Sequence, residues 1–113
     1  EDGELVDVSA TAKEAGIRYP VALTRAAHDK AVALPEGYVG PQDEAGRLWD
    51  VVWMASRKMI ELVRRNDDSE TCYFELLVVN PATNKHEKRR LKSHCGPGDD
   101  AEPVITIMLP DED

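Results

Sequence analysis

Between Asp43 and Arg65 the apolar residues recur at helical spacing around an arc too wide for a surface helix. On a wheel of about 100° per residue, Leu48, Val52, Met59 and Val63 fall together. Trp49, Trp53 and Ile60 flank them on one side, and Val51, Ala55 and Leu62 on the other. Asp50, Met54, Arg57, Lys58, Glu61, Arg64 and Arg65 share what remains. An ordinary surface helix carries an apolar stripe of roughly 100°. A wider arc requires cover on two sides, so this helix belongs between a sheet and other helices. Both tryptophans are expected in that core rather than on a ligand platform.

After Asn66-Asp67-Asp68-Ser69 the period changes from helical to alternating. Thr71 to Val79 places Cys72, Phe74, Leu76 and Val78 on one face and Tyr73, Glu75, Leu77 and Val79 on the other. The Asn80–Lys85 turn leads to a charged strand, His86–Cys95. A Gly96-Pro97-Gly98-Asp99-Asp100 turn leads to a third strand from Pro103 to Leu109. Short links between successive strands favour an antiparallel meander with His86–Cys95 in the centre.

The N-terminal part reads as two short helices. Ser9 caps one over Ala10–Ala15, stopped by Gly16, and Thr24 caps another to about Leu34, ahead of Pro35. Ile17–Leu23 between them is extended, and Pro35–Asp43 is a loop. The expected fold is α+β: a three-stranded antiparallel meander packed on one long helix, with two short N-terminal helices beside it. At 113 residues this is one domain, 1–113, whose last residues 111–113 are expected to be flexible. The chain opens on Glu1 rather than Met, so a preceding segment is expected to have been trimmed.

Charge narrows the function. A net charge of -8 argues against general nucleic-acid binding, which needs a basic surface. No apolar run approaches the roughly 20 residues of a membrane helix. Cys72 and Cys95 make no disulfide framework, which fits a reduced cytoplasmic protein. No metal site is expected. Cys72, His86, His94 and Cys95 lack paired spacing, and His94 and Cys95 point to opposite faces of a strand. No phosphate-loop, dinucleotide or nucleophile-elbow motif is present, so neither cofactor nor catalytic residue is assigned.

The candidate binding residues are fewer. Lys88, Arg90 and Lys92 alternate, so they emerge from one sheet face as a basic row. Arg47 and Asp50 at the helix start form a second group, and Asp99 and Asp100 a third. With Leu77, Val79, Val104 and Met108 facing away from the helix, the basic row should run between two apolar flanks. Such a face suits a protein partner or a second copy of the chain.

Four stretches carry a resemblance: Gly3–Ser9, Pro20–Thr24, Gly46–Ala55 (GRLWDVVWMA) and Gly96–Pro110 (GPGDDAEPVITIMLP). Together they resemble a bacterial domain-of-unknown-function family carried on plasmids, phages and other mobile elements. The resemblance spans nearly the whole chain. It supplies no catalytic residue and implies a mobile-element setting, where accessory proteins bind host machinery. The leading expectation is a non-enzymatic interaction or modulator module. The alternative is a small-molecule or anion binder, or a small enzyme, using Arg47, Asp50, Asp99 and Asp100.

Overall fold

The computed structural model describes residues 4–97 and 102–112. In chain order the elements are β1 (Leu5–Asp7), α1 (Ser9–Glu14), β2 (Val21–Thr24), α2 (Arg25–Ala31), α3 (Glu44–Arg64), β3 (Thr71–Val79), β4 (His86–Pro97) and β5 (Pro103–Met108). Local chemistry sets most of these limits. Asp43 caps α3 by accepting from the Gly46 amide at 2.6 Å, and Thr24 caps α2 by accepting from Ala27 at 3.1 Å. Two helices end in the same way. Past α3, Asn66 takes φ 55° while Asp67 donates back to the Leu62 carbonyl. Past α1, Gly16 takes φ 96° while Ile17 donates back to Ala12. Both are Schellman closures, which need a left-handed residue that Gly or Asn supplies cheaply. Ser9 does not cap α1; its hydroxyl donates to Asp7 and accepts from the Val21 amide, tying α1 to β2.

The sheet overturns the three-stranded meander. It has five strands in the order β1-β2-β5-β4-β3 and is mixed. β3–β4, β4–β5 and β1–β2 are antiparallel, while β2 and β5 run parallel, with Val21 opposite Ile105 and Leu23 opposite Ile107. β5 is therefore an interior strand, not an outer one. The two additional strands are three and four residues long, too short for alternation to announce them, and β2 finds its parallel neighbour at the far end of the chain.

One face of the sheet carries the core. Val21 and Leu23 of β2, Leu91 of β4, Ile105 and Ile107 of β5, and Phe74, Leu76 and Val78 of β3 point into it. Val51, Val52 and Ala55 of α3 meet them, beside Ala12 of α1 and Ala27 and Ala31 of α2. The alanines are fully buried; their small side chains let three helices approach one sheet closely. Ser56, also buried, donates to the Ala15 carbonyl at 3.1 Å and binds α3 to the end of α1.

Arg47 is the one buried charged residue among those described. Its Nε donates to the Val32 carbonyl at 2.9 Å, just past α2. Its Nη1 donates to the Val79 carbonyl at 2.8 Å, at the end of β3, and to Gln42 Oε1 at 2.6 Å. The guanidinium thus joins the end of α2, the start of α3 and the end of β3.

The tryptophans divide. Trp49 is half-buried against the core, whereas Trp53 is exposed at 38%, contrary to the expectation that both are core. The reason is position. β3 is the last strand of the sheet, so the flank of α3 that carries Trp53 extends past it. Trp53 stacks on Trp49 with centroids 5.7 Å apart, and the Arg57 guanidinium lies 4.2 Å above its ring.

Two stability measurements follow. Arg47→Ala, followed by urea unfolding, should cost roughly 3 kcal/mol, because the substitution leaves two carbonyls without a charged donor. Arg47→Lys should recover little, since an ammonium cannot reach both carbonyls in that fork geometry; full recovery by Lys would show that charge alone matters. Trp49→Ala should cost about 3 kcal/mol and Trp53→Ala less than about 1 kcal/mol, the difference following burial. Equal losses would place both rings in the core.

Candidate functional site

Among the described residues no element packs on the face of the sheet opposite the helices. Register sets what it displays: Leu77 lies opposite Lys88, Glu75 opposite Arg90, Tyr73 opposite Lys92, and Thr71 opposite His94. On the other side of β4, Lys92 meets Met108, His94 meets Thr106, and Gly96 meets Val104. Lys88, Arg90 and Lys92 accordingly stand in a row on this face. Lys88 Nζ lies 3.7 Å from Glu75 Oε1, and the Arg90 guanidinium lies 4.5 Å over the Tyr73 ring. Ion pairs this exposed contribute little to stability, so the row is not accounted for by the fold. Tyr73 and Leu77 are exposed large apolar residues, Leu77 at 60%.

The two expected apolar flanks reduce to one. β5 sits between β4 and β2, Met108 is buried, and Val104 is half-buried. The neighbouring outward positions on β5 and β2 are Thr106 and Ala22. The exposed apolar surface therefore concentrates along β3, beside the basic row.

β3 is also a free edge. The amide of Asn80 donates to the Lys85 carbonyl, and that of Cys95 to the Glu70 carbonyl. Those two pairs fix the parity of the antiparallel ladder: even-numbered residues of β3 bond to β4, and odd-numbered ones direct N–H and C=O away from it. Thr71, Tyr73, Glu75, Leu77 and Val79 thus face outward along the edge. The Val79 carbonyl is taken by Arg47. Beside the remainder runs a cleft of 420 Å³ lined by Asp50, Trp53, Met54, Glu75, Leu76, Leu77 and Lys88.

Arg47 and Asp50, grouped by their place at the helix start, are directed to different surroundings. Arg47 spends its donors on carbonyls and Gln42, and Asp50 is exposed on the edge cleft. Burial, and then the nearby Arg89, pull the Arg47 guanidinium below its ordinary value. Arg89 itself is held by Glu87 at 2.6 Å. Hydrogen bonds from Asn80 and then Arg89 keep the Glu87 carboxyl below the usual range. A cleft of 390 Å³ touches Lys30, Arg47, Asn80 and Arg89, with Asp29 on its wall; Arg47 is engaged by the fold, and Arg89 is held by Glu87 while its buried Nε has no partner among the described residues. Asp99 and Asp100 lie outside the described residues.

The cysteines and histidines stay apart. Cys72 is buried with its Sγ 3.1 Å from Ser93 Oγ. His94, on the opposite face, holds Thr71 at 3.0 Å, and His86 starts β4 at its other end. Among the described residues no three His, Cys, Asp or Glu side chains gather as metal ligands would. Among the described residues no helix is long and apolar enough to cross a membrane.

Sequence reasoning makes Thr71–Val79 an outer strand, as it is, but places Trp53 in the core and assigns no site to Met54 or to the strand's edge. The available signal was the apolar character of both faces of Thr71–Val79, which a strand with one wet face does not show.

No curated protein matches the chain, and no solved structure matches it. The profile described as a family of unknown function, DUF6573, matches residues 1–113. The chain belongs to that family.

Proposed function

We propose that this chain is a non-enzymatic protein-interaction module, cytoplasmic and serving a mobile genetic element, whose open sheet face receives an acidic protein partner. The observation that carries this reading is the row Lys88, Arg90, Lys92 flanked by Tyr73 and Leu77 on an uncovered face. An interface of this composition has a ready division of labour: the aromatic and aliphatic side chains exclude water, and the cations select carboxylates. In a chain of net charge -8, a local basic row is set off from its surroundings and orients an incoming acidic surface.

Further observations support the parts of this reading. The displaced carboxyls, Asp7, Asp67 and Glu87, each answer to local hydrogen bonds: Ser9 for the first, Ser69 for the second, Asn80 and Arg89 for the third. They lie on separate elements rather than around one cleft. The anion-binding alternative is weakened because Arg47 is committed to backbone carbonyls. The unpaired Cys72 and Cys95 fit a reducing compartment. The mobile-element setting rests on the resemblance of the four sequence stretches.

The partner of the face is taken to be a different protein. A two-fold contact through this face would bring the basic row near its own copy, and the second apolar flank that could offset that repulsion is absent.

Affinity capture from a host lysate, run in parallel with native protein and a Lys88→Ser, Arg90→Ser, Lys92→Ser variant, tests the reading. The variant should remain folded, shifting Tm by no more than about 4 °C, as exposed side chains permit. It should lose the captured protein, and added salt should weaken the native complex. Retention of the same proteins at the same yield by both chains would rule the face out.

A further inference from the structure

The open face leaves a second surface unexplained, the edge of β3. We infer that β3 pairs antiparallel with β3 of a second copy of this chain, joining the two sheets into one and bringing the two α3 helices side by side.

The edge has the chemistry for pairing. Thr71, Tyr73, Glu75 and Leu77 present N–H and C=O groups that no strand among the described residues takes. β1, at the other end of the sheet, is three residues long. β3 runs for nine, without proline, and with Glu75 as its one charged residue. Natural edges of this length are ordinarily blunted by charge, proline or a bulge, or else covered. β3 has neither proline nor bulge, and its one charge, Glu75, has Lys88 3.7 Å away.

The second copy is favoured because the edge and its flanking helix are self-complementary. Asp50, Trp53, Met54 and Arg57 are all exposed and spaced i, i+3, i+4, i+7 along α3, so they form one stripe. The cleft shared by Asp50, Trp53, Met54, Glu75 and Leu77 puts that stripe beside the edge. A two-fold axis normal to the sheet reverses the second helix. Trp53 and Met54 then meet their own copies, and Asp50 lies towards Arg57 of the other chain. Among the described residues neither Asp50 nor Arg57 has an ion-pair partner within its own chain. With the axis beside Glu75, Tyr73 lies opposite Leu77 of the second copy, an aromatic–aliphatic cross-strand pair. The two Glu75 carboxylates at the axis are offset by Lys88, 3.7 Å away, and by Arg90 in the facing register position.

The pairing uses the main chain of the β3 edge and leaves the basic row of the open face out, so its test is separable from that of the partner-binding reading. Light scattering coupled to gel filtration, over a dilution series of the full chain, should give twice the 12.6 kDa chain mass. Glu75→Pro removes an amide that points outward and breaks no bond to β4, so it should give a monomer with the native circular dichroism spectrum. Proline is tolerated on an edge strand for that reason. Asp50→Arg alone should weaken the dimer roughly tenfold or more, and Asp50→Arg with Arg57→Asp should restore it, the expected behaviour of an interfacial charge pair. The Lys88, Arg90, Lys92 serine variant should remain a dimer. A native chain that stays monomeric at every concentration, a dimer that folded Glu75→Pro leaves intact, or a double charge swap that restores nothing would overturn the inference.

Discussion

The guanidinium of Arg47 sits where three segments meet, and much of the remaining geometry depends on that junction. A buried charge is costly unless its donors are matched, and here the matching groups are main-chain carbonyls at Val32 and Val79 together with the Gln42 amide oxygen. Because those carbonyls end α2 and β3, satisfying one side chain fixes the start of α3 against both. α3 then runs back along β3, the last strand of the sheet, and its flank projects past the edge. The exposure of Trp53 and Met54, and the cleft they form with Leu77, follow from that placement.

The same placement separates what the sequence reveals from what it conceals. β3 was legible to the residue, because nine alternating residues between two turns leave no other period to fit. α3 was legible to within one residue at each end, through Asp43 at its start and the polar turn beyond Arg65. β1 and β2 were not. A strand of three or four residues shows no period, and the pairing of Val21 with Ile105 depends on chain segments that no local pattern connects. With those strands unseen, local patterns make β5 an outer strand and give the open face a second apolar flank, whereas β5 lies between β2 and β4. Trp53 was misjudged for a related reason: a helical wheel orders side chains around an axis but does not say how far the sheet beneath extends.

Among the candidate residues, alternation alone was enough to put Lys88, Arg90 and Lys92 on one face, since side-chain direction in a strand has a period of two. Arg47 and Asp50 are the opposite case. Three positions apart on a helix, they read as a pair, yet burial draws one inward to carbonyls and leaves the other on the surface. Proximity along a helix ranks below the need of a desolvated guanidinium for acceptors.

The parallel contact between β2 and β5 has a kinetic side. It joins a strand near the beginning of the chain to the last strand, through the middle of a single sheet. During synthesis the β1–β2 pair and α1 have no sheet to dock on until β5 has left the ribosome, whereas β3 and β4 can form their hairpin earlier. Closing so long a loop raises contact order and slows folding relative to a helical protein of this size. Until β5 arrives, the newly made hairpin has two unpaired edges, and the chain is most exposed to misassociation in that interval.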